Sequence, residues 1–185
     1  VTPDVTAVIL SAGKSERFGI PKAYLVFDES KSFIQNLLHE YHKAGIRHVV
    51  IVTNPALKET MERQIQKEPP ELHIEVVINP DPDKGRFSSI KQGLSAVDAS
   101  HHAFIQNIDN PFTSSLLLRQ MMNEIRNGIF VVPEYGGNSG HPLLLSKEII
   151  KDLKKMKKDD ANLKEILRNY PSAKVIAENS TILAN

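Results

Sequence analysis

Short apolar runs alternate with amphipathic segments along this chain, and the alternation restricts its fold more than any other feature. The first run, Val5–Leu10, is almost continuously apolar, as is typical of a parallel strand that is buried on both faces. Apolar residues then recur with helical spacing from Phe33 to Tyr41, and Gly45 follows as a helix stop. Strands that alternate with helices of this length predict an α/β fold, in which a mostly parallel sheet carries helices on both faces.

The same alternation continues through the rest of the chain. The further strands that it predicts cover residues 49–53, 75–78, 102–105, 129–133, 142–145 and 173–177. The further helices are predicted after Pro55, over residues 88–97, around residues 117–125, after Ser146 and near residues 162–169. With 185 residues the chain is long enough for one well-filled core, and we expect a single domain over residues 1–185.

Composition and charge exclude several classes of function. The chain has no cysteine, which excludes disulfide frameworks, thiolate zinc sites and thiol nucleophiles, and which suits a reducing cytoplasm. The formal net charge of +1 is spread along the chain, so we expect no nucleic-acid partner. No apolar stretch approaches membrane-spanning length, and we expect no membrane partner either.

The loop after the first strand, residues 10–22, is the most informative segment for function. Its small residues would let backbone N–H groups approach an anion closely, and Gly13 and Gly19 could adopt positive φ. Arg17 and Lys22 add two cations, which is the combination that a triphosphate needs. The alternative is a glycine-containing turn with charges on its surface.

Two familiar phosphate-binding loops do not match this segment. For the Walker motif, Gly13 and Gly19 are one residue too far apart, and Ile20 stands where that motif has lysine. The dinucleotide fingerprint G-x-G-x-x-G is absent as well, which disfavours a Rossmann dehydrogenase.

A carboxylate, Asp109, follows the predicted fourth strand. In a parallel sheet the carboxyl ends of the strands line the ligand crevice, so we expect Asp109 to share an edge with the loop of residues 11–22. There it could hold Mg²⁺ against phosphate oxygens, because Mg²⁺ usually takes one or two carboxylates and completes its octahedron with water and phosphate. Alternatively, Asp109 caps the following turn or helix, and Asn110 and Pro111 are ordinary turn residues.

Two further loops belong to the same expected edge. Residues 85–89 follow the third strand, and Ser88 or Ser89 either caps the next helix or faces a nucleobase or ribose. Residues 136–142 form a glycine-rich loop that is long enough to line an acceptor pocket. In that loop His141 either makes a structural hydrogen bond or faces the acceptor.

Together these segments resemble the MobA-like nucleotidyltransferases, whose Rossmann-like fold is that of the nucleotide-diphospho-sugar transferases. Residues 10–22 are similar to the family signature L-A-[AG]-G-x-S-x-R-[MF]-G-x-x-K. Asn79 and Pro80, followed by residues 85–89, are similar to its N-P segment with a later G-x-x-S-S. Residues 109–111 are similar to its metal-binding D-x-P, and residues 140–142 resemble the G-H-P of the molybdenum cofactor cytidylyltransferase branch.

The resemblance implies roles for individual residues. The implied nucleotide-binding residues are Leu10, Ser11, Ala12, Gly13, Lys14, Arg17, Lys22, Asn79, Gly85, Ser88, Ser89 and Asp109. Among them, Arg17 and Lys22 would bind phosphates and act in catalysis together with Asp109. Asp109 would also bind Mg²⁺, the implied cofactor, and His141 would lie beside the acceptor.

The sequence departs from the family pattern in two places. Ser11 replaces the usual alanine, and the chain stops at residues 181–185, where many members continue into a D-x-x-T-P-E-D-like segment, so we expect a C-terminal segment to be lacking. Ala12, rather than glycine, before Gly13 looks more like the cytidylyl branch and weakly favours CTP. Related loops occur in 2-C-methylerythritol phosphate cytidylyltransferases and sugar-phosphate nucleotidylyltransferases, which leaves the acceptor open.

The expected activity is a Mg²⁺-dependent transfer of a nucleotide from a nucleoside triphosphate to a small phosphorylated acceptor, such as a molybdopterin cofactor, with release of pyrophosphate. Such chemistry asks the protein for positioning and charge neutralisation rather than for a nucleophile. The alternative is a catalytically silent nucleotide-binding or regulatory module on the same fold. A glycosyltransferase would normally have a second acidic metal ligand near Asp109, and Asn107 stands at that position.

Overall fold

Eight strands form one mixed sheet in the computed structural model, which describes residues 3–13 and 25–184. The strands are β1 (Val5–Leu10), β2 (His48–Thr53), β3 (His73–Ile78), β4 (His102–Asn107), β5 (Phe130–Tyr135), β6 (Asn138–Ser139), β7 (Leu143–Leu145) and β8 (Ser172–Ile176). The helices are α1 (Phe33–Lys43), α2 (Lys58–Ile65), α3 (Arg86–Ser95), α4 (Ser115–Glu124), α5 (Lys147–Lys155) and α6 (Leu163–Leu167). Short 3₁₀ turns lie at Pro55–Leu57, Pro82–Lys84 and Ser180–Leu183.

The sheet is parallel in its first half and mixed in its second. The strand order is β3-β2-β1-β4-β7-β5-β6. Strand β8 also pairs with β5, along the side of β5 that does not face β7. Strands β1 to β4 pair in parallel, as do β5 and β8, whereas β7 runs antiparallel between β4 and β5. The expected mostly parallel sheet is therefore confirmed, and the antiparallel insertion of β7 brings the loop before it to the carboxyl edge of β4.

The expected helices on both faces are confirmed by the way β1 divides its side chains. Val5, Ala7 and Ile9 are buried in the same apolar cluster as residues of α1, α2 and α4. Val8 and Leu10 belong to the cluster on the other face, with residues of α3, α5 and α6. All six residues of β1 are buried, which is why this strand reads as a nearly continuous apolar run. None of the helices in the described part of the chain is long and apolar enough to span a membrane.

Helix starts agree with the sequence at α5 and differ at α3. Ser146 caps α5 as predicted, since its side chain accepts a hydrogen bond from the backbone of Ile149. Helix α3 begins at Arg86, two residues before the predicted start, because Gly85 turns the chain into the helix with φ of 101°. Gly85 occupies the N-cap position and no side chain caps α3, so the interpretation of Ser88 or Ser89 as its cap is wrong.

Candidate active site

The loops after β1 and β4 leave the sheet side by side. Leu10 at the end of β1 pairs with Asn107 at the end of β4, and the backbone N–H of Ile108 donates a hydrogen bond of 3.2 Å to the carbonyl of Leu10. Asp109 follows directly, in the turn beyond β4. The expectation that Asp109 shares an edge with the loop of residues 11–22 is therefore confirmed for residues 11–13, the part of this loop that the structure describes. The alternative of Asp109 as the cap of the next helix is wrong, because Ser114 caps α4.

The beginning of the first loop is fixed by neighbouring strands. The backbone N–H of Ser11 donates to the carbonyl of Val52 (2.7 Å), and the Asn54 side chain donates to the carbonyl of Ala12 (3.3 Å). Since the N–H of Ser11 serves the sheet, backbone donors for an anion would start at Ala12. Gly13 is exposed, and a Cβ built there would meet no atom of the described residues within 4 Å.

Gly13 does not need the conformational freedom that the sequence suggested. It is not among the glycines with positive φ, so the expected use of that region is wrong for this residue. None of the described residues would block the approach of a ligand to the backbone here. The predicted residues Lys14, Arg17, Gly19 and Lys22 lie outside the described residues, and their roles stay predictions.

A buried hydrogen-bond cluster shapes the segment after β3. The Asn79 side-chain nitrogen donates to the hydroxyls of Ser88 and Ser89, both at 2.9 Å, and all three side chains are buried. The Ser88 hydroxyl donates to the carbonyl of Gly85 at 2.7 Å. These bonds hold Gly85 and the first turn of α3 against the end of β3. The nucleotide-binding roles of these four residues stay predictions.

Gln106 anchors the turn that carries Asp109 from its buried side. Its side-chain nitrogen donates to the carbonyls of Asn107 and Asn110, both at 2.9 Å. Its side-chain oxygen accepts from the hydroxyls of Tyr41 (3.0 Å) and Thr113 (2.9 Å). Burial raises the pKa of Tyr41 well above its usual value, which keeps this hydroxyl protonated as a donor. The fully buried amide thus uses both its donors and accepts two hydrogen bonds, which makes the turn rigid.

His141 lies at the same edge because β7 runs antiparallel to β4. Leu143 pairs with Ile105, and continuing this register by two residues brings His141 level with Asn107. The peptide bond between His141 and Pro142 is cis. Burial, the larger cause, and the charge of Arg86 together lower the pKa of His141 to about 4, and the charge of Asp109 opposes both. The imidazole is therefore neutral at pH 7.

Arg86 is a site residue that the sequence reasoning missed. It is the first residue of α3 and is close enough to Asp109 and His141 for its charge to interact with both. Burial of its guanidinium against the pocket wall lowers the pKa of Arg86, and Asp109 opposes this effect, although part of the side chain remains exposed to solvent. A cation directly after a glycine, in a segment predicted to lie at the ligand edge, is the sequence signal that could have identified it.

A pocket of about 880 Å³ opens beside Arg86 and His141. One wall is apolar and is formed by Phe87, Ile90, Phe130, Leu163 and Leu167. Cations also line the pocket; besides Arg86 they include Lys164, Arg168 and Lys174. The pocket can therefore accept a molecule with an apolar body and at least one anionic group.

The loop between α5 and α6 forms another part of the pocket wall and is tied to α3. Lys91 on α3 contacts the carboxylate of Asp159 at 2.8 Å, and Lys84 lies 3.9 Å from the same carboxylate. The neighbouring Asp160 lines the pocket. Within residues 3–13 and 25–184, no three His, Asp or Glu side chains are grouped so that they could hold a metal ion by themselves.

Comparison with known proteins identifies the family. The model of the MobA-like NTP transferase domain matches residues 7–175. Molybdenum cofactor cytidylyltransferase of Escherichia coli is 27% identical over 146 residues, 77% of this chain and 70% of that protein. Nicotine blue oxidoreductase of Paenarthrobacter nicotinovorans is 25% identical over 177 residues, 91% of this chain and 84% of that protein. A probable molybdenum cofactor guanylyltransferase of Bacillus mycoides is 27% identical over 143 residues, 74% of this chain and 64% of that protein.

Solved structures agree at the level of the fold. A nucleotidyl transferase from Methanothermobacter thermautotroptrophicus aligns with a TM-score of 0.76 at 18% identity and covers 95% of this chain and 88% of its own. Rv0371c from Mycobacterium tuberculosis, in a complex with manganese, aligns with a TM-score of 0.75 at 17% identity, over 97% of this chain and 91% of its own. With a family model that spans nearly all of the sheet and both site loops, this chain belongs to the MobA-like NTP transferase family and is a nucleotidyltransferase related to the molybdenum cofactor cytidylyl- and guanylyltransferases.

Proposed function

We propose that this chain is a Mg²⁺-dependent nucleotidyltransferase of the cytoplasm that transfers a nucleotide, with CTP favoured as donor, to a small phosphorylated acceptor. The observation that carries the proposal is the shared edge of β1 and β4, where the loop that begins at Ser11 and the carboxylate of Asp109 lie side by side. A triphosphate held by the first loop would have Asp109 within reach of its phosphates.

The residues at this edge fit Mg²⁺. Asp109 provides one carboxylate, and Mg²⁺ needs only one or two when water and phosphate oxygens fill its remaining positions. The related fold of Rv0371c has been obtained with manganese, which prefers the same oxygen ligands. Asp109 would hold the ion, and the chemistry supplied there would be neutralisation of the charge that develops on the transferred group and on pyrophosphate.

The first loop would form the binding site for the nucleotide. Backbone donors from Ala12 onward would receive the triphosphate at Gly13, where none of the described residues would block its approach, with Arg17 and Lys22 on its phosphates. An oxygen of the acceptor phosphate then attacks the α-phosphorus, the bond from that phosphorus to the bridging oxygen breaks, and pyrophosphate leaves with the electron pair. The chain's residues bind and orient both partners, and no protein nucleophile takes part.

The pocket beside α3 fits the acceptor. Arg86 lines this pocket and is close enough to Asp109 for their charges to interact, so it would hold the acceptor phosphate close to the α-phosphorus. His141 is neutral at pH 7, so it would offer a hydrogen bond to the acceptor rather than a charge. The apolar wall would cover a ring system, as in a pterin.

The preference for CTP over other nucleoside triphosphates rests on a single residue of this chain. Ala12 before Gly13 looks like the cytidylyl branch, and the relative from Escherichia coli is named a cytidylyltransferase. Relatives named guanylyltransferases have comparable identity, so the donor panel in the experiment must include GTP.

Pyrophosphate release tests the proposal directly. The protein is incubated with each of the four nucleoside triphosphates and Mg²⁺, alone and with phosphorylated acceptors that include molybdopterin. We expect release with CTP and an acceptor, and none when Mg²⁺ is removed by a chelator. Tight binding of a triphosphate without release for every acceptor would instead support the catalytically silent module.

A further inference from the structure

We propose that Asn110 is a positioning residue that fixes His141 relative to Asp109 through the backbone carbonyl of Ile182. The roles of Asp109 and His141 in this inference rest on the proposed function. The connection itself is a property of the fold, and it joins two loops that are more than 25 residues apart in sequence.

Two hydrogen bonds meet at one carbonyl oxygen. Ile182 accepts from the backbone N–H of His141 at 2.9 Å and from the side-chain nitrogen of Asn110 at 3.1 Å. Asn110 directly follows Asp109, the proposed metal ligand. The Ile182 carbonyl is therefore hydrogen-bonded both to the neighbour of that ligand and to His141, the proposed acceptor residue. Asn110 and Ile182 are 1% and 4% exposed, which shields both bonds from competition by water.

Gly140 packs against the same carbonyl and leaves the loop no room to move towards it. A Cβ built on Gly140 would lie 2.3 Å from the Ile182 oxygen and 2.8 Å from its carbonyl carbon. Backbone contacts of this kind require glycine, since no side chain could be accommodated without a shift of the main chain. A displacement of the Ile182 carbonyl would therefore be passed on to His141.

The carbonyl is also held from the core side. The Ile182 side chain belongs to the apolar cluster that contains Val131 and Leu144. The 3₁₀ turn Ser180–Leu183 that carries it is capped by Asn179, whose side chain accepts from the backbone of Thr181. The turn thus offers a fixed reference point against which both loops are set.

Two buried polar atoms close to the Ile182 carbonyl lack hydrogen-bond partners. The side-chain oxygen of Asn110 and Nδ1 of His141 are both buried, and neither has a hydrogen-bond partner among residues 3–13 and 25–184. A buried polar atom without a partner destabilises the folded state. The Asn110 side chain thus uses its nitrogen at Ile182, while its oxygen has no partner among these residues.

The test compares two asparagine substitutions in the full chain. Asn36 is 8% exposed and its side chain donates to the carbonyl of Pro111 at 2.9 Å, so Asn36→Ala removes the same kind of bond from the same turn without touching Ile182. In Asn110→Ala we expect kcat/KM for the acceptor to fall about 10- to 100-fold, because small misplacements of reacting groups cost this much. The KM for the triphosphate should stay within about twofold, and Asn36→Ala should change neither value by more than about threefold.

Hydrogen exchange gives a second measurement that needs no activity. The backbone amide of His141 should exchange faster in Asn110→Ala than in the parent, and at the parental rate in Asn36→Ala. Equal protection of this amide in both variants, or equal losses of kcat/KM in both, would overturn the inference. If Asn110→Ala does not fold, Asn110→Ser removes the same reach to Ile182 and carries the same expectation. Absence of transfer with every acceptor would refute the proposed function, while hydrogen exchange would still decide the role of Asn110.

Discussion

The backbone N–H of Ile108 donates a hydrogen bond to the carbonyl of Leu10, and this single contact sets the geometry of the site. It extends the pairing of β1 and β4 by one residue beyond the last strand position. Neighbouring strands lie about 4.8 Å apart, so the loop that follows Leu10 and the carboxylate that follows Ile108 leave the sheet as close neighbours. The metal–triphosphate site that we propose depends on this proximity.

The first prediction concerns Gly13. A Cβ at this position would contact none of the described residues and its φ is not positive, so Gly13→Ala should unfold at the parental temperature. The added methyl group would nevertheless occupy the space through which a triphosphate approaches the backbone. We expect the Kd for CTP, measured by calorimetry, to rise about tenfold, equivalent to about 1.4 kcal/mol.

Gly93→Ala is the matched comparison for Gly13→Ala. A Cβ at Gly93 would lie 2.4 Å from Val8 and 2.8 Å from Val52, on the face of the sheet that α3 covers. Overpacking of this kind costs about 1–3 kcal/mol, so Gly93→Ala should lower the unfolding temperature. Unchanged CTP affinity in Gly13→Ala would mean that the triphosphate does not approach the backbone at this position.

The second prediction concerns the pKa of His141. Burial, the larger cause, and the charge of Arg86 together lower this pKa to about 4. Arg86→Gln removes the charge and keeps much of the volume, so the pKa of His141 should rise but stay below 6.5, since burial remains the larger cause. Titration of the imidazole by NMR measures it directly, and a pKa that falls or stays constant in Arg86→Gln would contradict the placement of Arg86.

The lowered pKa of His141 also makes the free energy of unfolding depend on pH. In the unfolded chain His141 takes up a proton near pH 6.5, whereas the folded chain resists protonation until about pH 4. The unfolded state therefore binds more protons between these values, and the free energy of unfolding should decrease as the pH falls from about 6.5 to about 4. In His141→Asn this part of the loss should be absent from denaturant titrations.

The third prediction concerns Lys22, which lies outside the described residues. If it binds the phosphates, Lys22→Ala should raise the Kd for CTP about tenfold and reduce the dependence of binding on salt. Lys67→Ala is the control, because Lys67 is exposed and precedes β3, at the opposite edge of the sheet. Parental affinity in Lys22→Ala would show that the phosphate assignment is wrong.

The fold could be predicted from the sequence wherever burial alone decides the pattern. β1 was predicted with its observed bounds because both of its faces are buried. The start of α3 could not be predicted, because it is set by the positive φ of Gly85 rather than by a capping side chain. The antiparallel direction of β7 depends on its pairing with β4, which no local pattern of three leucines reveals.

The loops that form the candidate site could be predicted from the sequence, whereas the contacts between them could not. Asp109 and the first loop could be placed together, since parallel strands end at one edge. Arg86 was missed because its interaction with His141 depends on how α3 meets the loop before β7. The role of Ile182 depends on a backbone carbonyl, and the sequence carries no signal for which carbonyl two distant donors will share.

The binding of CTP to Asp109→Asn, with and without Mg²⁺, is the most direct test of the central claim. Asp109 is only half-buried and asparagine has nearly the same size, so the substituted chain should still fold. In the parent protein, and in the control Asp98→Asn at the opposite edge of the sheet, we expect Mg²⁺ to tighten CTP binding and to support pyrophosphate release. In Asp109→Asn both effects of Mg²⁺ should be lost. If Asp109→Asn still binds CTP more tightly with Mg²⁺ and still releases pyrophosphate, Asp109 does not hold the metal and the proposed site is wrong.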